Sequence, residues 1–326
     1  MGTPQSKNSD TQPEIKLIVT DMDGTLLNDD HSMSDRNREA LRKAIDNGVP
    51  VIIATGKTRT SNESVIAALN LDTPGIYVQG LIIFNADGSV RHQQTLDPDM
   101  ARRVITFVEQ RGYKVMAYSG NRLLIKADDD ELNAIANYHE PMPEPVGPLV
   151  NILNTQPIHK LLIFSTPKKL KALRFQLEKQ LDGRAALTST NVMNTLEVLP
   201  AGASKGKALK VLLREMNIDA KNVMVIGDGE NDIEMVKLAG LGIAVSNANP
   251  KLIAIADDIV GSNNDHGVAE AVEKHVLKSA DSDAAKPEET TDETAEKPSE
   301  AKPTEEKAPA ANASDEDSKD SKPESE

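Results

Sequence analysis

Short runs dominated by branched apolar residues punctuate this chain at 15–20, 49–54, 223–226 and 241–245. Strands this apolar must be covered on both faces. Segments of helical periodicity lie between them, so the alternation reads as a parallel sheet with helices packed on either side. Residues 34–47 show such a helix: Ser34 can cap it, Ala40, Leu41, Ala44 and Ile45 share one face, and Gly48 suits its C-terminal stop. A helix over 204–216, with Leu209, Leu212, Leu213 and Met216 at helical spacing, continues the pattern, as do a helix from Asn231, another near 250–256 and a short strand at 258–260. In such sheets a ligand sits beyond the carboxyl ends of the strands. Asp21, Thr55 and Asp228 each stand at such an end, so residues distant in sequence can converge on one crevice.

Between residues 84 and 187 the pattern changes to short strands at 90–94, 114–117, 122–126 and 160–164, with two or three helices and a Pro-rich loop at 141–148. This reads as a second α+β unit inserted into the first. The expected layout is a flexible N-terminus (1–13), a first core segment (14–84), the insertion (85–188), a second core segment (189–278) and a tail (279–326).

The tail follows from composition. Residues 281–326 hold sixteen Asp/Glu, six Lys and five Pro, with no Val, Ile, Leu, Met or aromatic residue. Burial cannot offset the entropy of ordering such a stretch, which is expected to be disordered. It carries −10 of the total charge of −14. The remainder lacks the excess of basic residues that a nucleic-acid surface needs, so no nucleic-acid partner is expected. The tail reads as a solubilising segment whose partner, if any, the sequence does not name. The chain has no cysteine, which excludes disulfides, thiolate zinc sites and a cysteine nucleophile. Neither a signal core, an amphipathic presequence nor a membrane-length apolar run is present, so a soluble, cytoplasmic protein is expected.

The chemistry concentrates where the first strand ends, in Asp21-Met22-Asp23-Gly24-Thr25. Burying two like charges costs several kcal/mol unless a cation or proton offsets them, and a divalent metal is the simplest offset. Most of the candidate residues, taken alone, also have an ordinary structural reading. Aspartates are common in turns after strands, an acidic Asp232 is favourable in a helix's first turn, Asn231 suits a cap, and Thr55 suits a strand end. Lys205 is different. A cation in the first turn of a helix opposes the macrodipole, at a cost of about a few tenths of a kcal/mol, and local rules are broken where function requires it. Gly202 to Lys207 is no phosphate-binding P-loop, since only three residues separate its glycines and Ala208 follows the lysine. A calcium loop, a zinc-spaced histidine set and a nucleophile elbow are likewise missing.

Four motifs occur in order: Asp21-Met22-Asp23-Gly24-Thr25, Ala54-Thr55-Gly56-Lys57, Ser204-Lys205-Gly206 and Gly227-Asp228-Gly229-Glu230-Asn231-Asp232. Together they resemble the signatures of the haloacid dehalogenase (HAD) superfamily, in its Cof-type phosphatase branch, over about residues 14–276. The resemblance implies an α/β fold: a Rossmann-like, doubly wound parallel core with an inserted α+β cap of type IIB. It also implies a Mg²⁺-dependent phosphatase acting on a small phosphorylated metabolite such as a sugar phosphate, nucleotide or cofactor phosphate. In that scheme Asp21 is the nucleophile that forms an aspartyl-phosphate, and Asp23 protonates the leaving oxygen and then activates water. Thr55 and Lys205 complete the catalytic set. Gly24, Gly56 and Asn231 join Thr55 and Lys205 around the phosphate. Asp21, the backbone carbonyl of Asp23, Asp228 and Asp232 hold Mg²⁺.

A phosphomutase of the same superfamily and a non-catalytic phospho-aspartate switch are the alternatives. One departure concerns Gln79-Gly80-Leu81, where Cof-type members usually read Asn-Gly-Ala, which puts a substrate-facing contact there in doubt. Arg122, Lys126, His139 and His159 are polar candidates in the cap, none ranked above the others. Removal of residues 281–326 is expected to leave the rate of catalysis unchanged. A large loss of activity in the truncated protein would contradict the reading of the tail.

Overall fold

The structure is a computed structural model that describes residues 14–190 and 192–277. The expected flexible N-terminus and acidic tail lie outside these residues. Five parallel strands form the first sheet, in the order Asp258–Val260, Leu241–Val245, Val223–Gly227, Leu17–Thr20 and Val51–Ile53. Every residue of Leu17–Thr20, Val51–Ile53 and Val223–Gly227 is buried, as runs without a polar face require. From the strand Leu17–Thr20 the chain first winds to one side, through helix Asp35–Asp46 to Val51–Ile53, and later returns on the other side through Val223–Gly227. The order reverses at that strand's carboxyl end, and such switch points open a crevice between loops.

Helix Asp35–Asp46 begins as its sequence implies, with the Ser34 side chain accepting a hydrogen bond from the Asn37 N–H. Asn37 is buried and tied on both sides. Its Nδ2 donates to the Leu26 carbonyl at 3.1 Å, and its Oδ1 accepts from the Ala269 N–H at 2.9 Å. Helix Lys205–Met216 is capped by Ser204, which accepts from the Lys207 N–H at 3.1 Å. Leu209 and Leu212 on this helix are fully buried. At about 1.5–3 kcal/mol each, their burial outweighs the macrodipole cost of Lys205 in the first turn.

The second unit is a six-stranded sheet in the order Ala185–Thr190, Thr195–Pro200, Lys160–Phe164, Lys114–Ser119, Arg122–Ile125 and Glu144–Pro145. All its pairs are antiparallel except the last. Helices Pro98–Glu109 and Pro167–Leu181 cover one face, over Val115, Ala117, Leu161, Ile163, Leu196 and Val198. The opposite face carries Met116, Tyr118, Leu162, Phe164 and Leu199, which cluster with Tyr77, Val78, Leu81, Ile82 and Phe84. Alternation along the strands thus gives this sheet two buried faces.

Two assignments differ from the sequence reading. The strand Val90–Gln93, placed there in the second unit, pairs instead with Ile82–Phe84 in a small antiparallel sheet that includes Gly75–Tyr77. The intervening turn decides this: Asp87 accepts from the Ser89 N–H and Gly88 takes a φ of +82°, which closes a local hairpin. The second sheet also runs past residue 188, because Thr195–Pro200 is its second strand. Thr195, Glu197 and Leu199 lie on one face and Leu196 and Val198 on the other, the alternation of an antiparallel strand rather than of a core strand. No helix among the described residues is long and apolar enough to cross a membrane.

The turn Val78–Gly80 joins the small sheet to the start of helix Lys205–Met216. Gly80 has a φ of +85°, and a Cβ there would stand 2.3 Å from the Ser204 carbonyl oxygen. Only glycine fits both demands. Gly80→Ala is expected to destabilise the fold by about 2 kcal/mol or more, measured by chemical denaturation, and an unchanged midpoint would show that this approach is not tight.

Candidate active site

Asp21 follows directly on Leu17–Thr20, and its N–H donates to the Ile226 carbonyl at 3.0 Å, which locks it beside the neighbouring strand Val223–Gly227. Asp228 emerges from that strand. Thr55 lies beyond Val51–Ile53, its N–H bonded to the Ile76 carbonyl at 2.9 Å. Lys205 arrives from the start of its helix, 1% exposed. Its Nζ donates to Asp21 Oδ1 at 2.6 Å and to Asp232 Oδ1 at 2.8 Å.

Asp232 is saturated by its neighbours. Its Oδ2 accepts the N–H groups of Asp228 at 3.1 Å and Gly229 at 2.9 Å, while Oδ1 holds Lys205. Asp228 Oδ1 accepts from Thr25 Oγ1 at 2.8 Å. One ammonium therefore faces three carboxylates. Burial first, and the Asp232 charge second, raise the Asp21 carboxyl well above its ordinary value, while Lys205 opposes the rise. Asp228 is raised by burial and then by Asp232. Burial works against the Lys205 ammonium, but the Asp21 and Asp232 charges outweigh it and hold its pKa above the usual lysine value.

This donor set fits a hard divalent cation. Carboxylate oxygens of Asp21, Asp228 and Asp232 lie within 4.8 Å of one another, so three acidic groups share the single ammonium of Lys205. Oxygen donors with excess negative charge suit Mg²⁺ or a similar ion. Asp23 stands apart from this cluster. Its Oδ1 accepts from Lys57 Nζ at 2.5 Å and lies 3.1 Å from His31 Nδ1.

A cavity of about 440 Å³ opens between the two sheets. Asp21, Asp23, Thr55, Gly56, Lys205, Asp228 and Asn231 all line it, so seven of the nine residues expected at the site converge. Asp232 is buried beneath the wall. Gly24 lies behind Asp228, where a Cβ would meet Asp228 Oδ2 at 2.8 Å, and its role there is close packing rather than contact with the cavity. Gln79, at the departure from the Cof-type pattern, does line the cavity, and its Oε1 accepts from Asn231 Nδ2 at 3.1 Å. Val78 and Gln79 hold left-handed φ angles of 51° and 61°, a conformation costly for a β-branched residue.

The four polar candidates of the second unit fare differently. Arg122 pairs with Glu144 at the surface, and Lys126 is exposed. The His139 ring packs edge-on against His31 at 5.0 Å. His159 is buried and accepts from the Gly120 N–H through Nδ1, which leaves its Nε2 to donate to Gln93. Burial lowers its pKa to about 4, so it is a neutral structural residue. Sequence reasoning missed Tyr118, Glu140, Lys160 and Glu197, which line the cavity from the second unit.

A family profile described as haloacid dehalogenase-like hydrolase matches residues 18–272. The chain is 33% identical over 278 residues to the chloroplastic endoribonuclease YBEY of Arabidopsis thaliana, a match covering 82% of this chain and 47% of that protein. It thus spans about half the length of that relative. It is 33% identical over 242 residues to an HMP-PP phosphatase of Enterobacter sp., covering 73% of this chain and 87% of the relative. It is 31% identical over 265 residues to the 5-amino-6-(5-phospho-D-ribitylamino)uracil phosphatase YcsE of Bacillus subtilis, covering 81% and 97%. A solved haloacid dehalogenase-like hydrolase from Bacteroides thetaiotaomicron matches with a TM-score of 0.74 at 27% identity, covering 80% of this chain and 99% of that one.

The charge imbalance has a pH signature. A carboxyl whose folded pKa is raised contributes stability that is fully present below its unfolded value and lost as pH rises through the folded one. In EDTA, wild type should therefore lose stability relative to Asp21→Asn as pH climbs from about the ordinary value of 3.8. Denaturant midpoints across pH 4–8 report it (~1.4 kcal/mol for each unit of pKa difference), and a difference that grows the other way would refute the assignment.

Proposed function

The chain belongs to the haloacid dehalogenase-like hydrolase family as a phosphoric monoester hydrolase, and we propose that it uses Mg²⁺ to hydrolyse a small phosphorylated metabolite through an aspartyl-phosphate on Asp21. The observation that carries this reading is the convergence of Asp21, Asp228 and Asp232 within 4.8 Å of one another, two of them on the buried Lys205 ammonium, with Asp23 on the same cavity wall.

In the first step an Asp21 carboxylate oxygen attacks phosphorus while the bond to the leaving oxygen breaks. Lys205 holds Oδ1, and Oδ2 is the oxygen proposed to attack. Asp23 donates its proton to the leaving oxygen, then takes one from water as that water attacks the phosphoryl group and releases inorganic phosphate from Asp21. Lys57 and His31 fix the Asp23 carboxyl through its Oδ1. The Thr55 hydroxyl accepts from the Lys57 N–H, so its own hydrogen is available to a phosphoryl oxygen. Mg²⁺ held by Asp21, Asp228 and the Asp23 carbonyl, with Asp232 behind them, would draw off phosphoryl charge and let an anionic nucleophile approach an anionic ester.

Relatives of similar identity carry different substrate names, HMP-PP in one case and 5-amino-6-(5-phospho-D-ribitylamino)uracil in the other. Both support a small metabolite without selecting one. The chain matches 87–97% of these phosphatases but 47% of the chloroplast protein, which favours phosphatase chemistry for this chain over the endoribonuclease activity named there.

Phosphate release from a panel of sugar phosphates, nucleotides, pyridoxal phosphate and flavin mononucleotide tests the reading. Release should need Mg²⁺, vanish with EDTA and fall to background in Asp21→Asn without loss of fold; Asp23→Ala should cost roughly 10²–10⁴-fold. Near-wild-type release by Asp21→Asn would sink the nucleophile assignment, and phosphate moved between positions without release would make the protein a mutase.

A further inference from the structure

The proposed reaction uses the floor of the cavity but leaves its roof unexplained. On the sheet face that looks into the cavity, Lys160 and Glu197 form an ion pair, Nζ to Oε1 at 2.6 Å, with side chains 4% and 5% exposed. The ammonium lies 4.3 Å from the centre of the Tyr118 ring and 3.4 Å from the Gly56 carbonyl oxygen. Buried pairs of this kind add little stability over apolar side chains of equal volume. Packing does not explain the pair, but its position does. Gly56 follows Thr55 in the loop proposed to hold the phosphoryl group, so the pair stands where the rest of a bound ester must lie.

We propose that Lys160 and Glu197 select the leaving group by binding an amide or imide edge on a flat ring. The ammonium donates to a ring carbonyl and the carboxylate accepts from the adjacent ring N–H. The inference rests on the phosphatase reading above and narrows its substrate class. Of the ammonium's three donors, Glu197 and the Gly56 carbonyl take two, which leaves one, and the carboxylate keeps its second oxygen as an acceptor. The pair is neutral as a unit, and this part of the roof offers no excess charge to a second phosphate or carboxylate. Tyr118, Ile135, Tyr138 and Leu162 line the same cavity, together with the polar side chains of Glu140 and Thr195. Glu140 is already engaged by Thr58, Ser61 and Tyr118, so a flat ring buries its faces against the apolar and aromatic part of this lining better than a polyol satisfies its hydroxyls there. The chain has four tyrosines and no tryptophan, and two of the four line this cavity.

The test compares kcat/KM for uridine 5′-monophosphate and flavin mononucleotide with glucose 6-phosphate, fructose 1,6-bisphosphate and p-nitrophenyl phosphate. Wild type should favour the two imide-bearing esters by about tenfold or more. Lys160→Met and Glu197→Gln should each erase most of that preference, about tenfold to a hundredfold, while altering p-nitrophenyl phosphate turnover by less than about threefold. A single change strands a buried charge, so the double variant Lys160→Met/Glu197→Leu provides a folded control, verified by its thermal midpoint. Preference for the sugar phosphates, or equal losses on every ester, would overturn the inference while leaving the phosphatase reading intact. Absence of Asp21-dependent release even from p-nitrophenyl phosphate would overturn both.

Discussion

One ammonium and three carboxylates share a small volume in which Lys205, Asp21 and Asp232 are nearly closed to water, and the surrounding architecture serves that imbalance. Removing one partner from a buried charge network costs about 3–5 kcal/mol, a large fraction of the roughly 5–15 kcal/mol that a domain has in total. The neighbourhood of Lys205 is built accordingly. Asp232 spends its oxygens on the ammonium and two main-chain N–H groups, while Thr25 steadies Asp228. What remains uncompensated lies between Asp21 and Asp228, at the cavity wall. The sheet order explains why these two are neighbours: strands 206 residues apart in sequence pair directly, and their ends meet where the winding reverses.

The second unit completes the enclosure. Glu140 reaches down to accept the Thr58 N–H at 3.3 Å, the Thr58 hydroxyl at 2.8 Å and the Ser61 hydroxyl at 2.6 Å, just beyond the Thr55–Lys57 loop. The Tyr118 hydroxyl donates to its other oxygen at 3.3 Å. A single buried carboxylate thus ties the second sheet to the loop beside the reacting centre.

The floor of the site was legible in the sequence because four short motifs occur together and in order, although most of their residues have an ordinary reading taken alone. Lys205 adds a broken local rule, a cation in a helix's first turn. The core strands and the helices from Ser34 and Ser204 were legible for the opposite reason, since period, caps and burial agree. The roof was hidden. Lys160 and Glu197 occupy alternate positions of antiparallel strands, where a charged residue ordinarily faces water. Only the packing of that face over the small sheet and the Thr55–Lys57 loop buries them, and this is long-range information absent from any local window. Gln79 was visible only as a departure from the Cof-type pattern, because its place on the cavity is set by a left-handed turn that ordinary propensities disfavour for Val78. The hairpin at Val90–Gln93 was misassigned because the turn closing it carries less weight in a periodicity reading than the strands it joins.

The strand Thr195–Pro200 holds Glu197 in the roof and ends five residues before Lys205 in the floor. Between them the chain passes Gly202, with a φ of +75°, and the cap residue Ser204. The side chain proposed to meet the leaving group and the ammonium proposed to balance the nucleophile therefore sit on one short, continuous stretch of backbone.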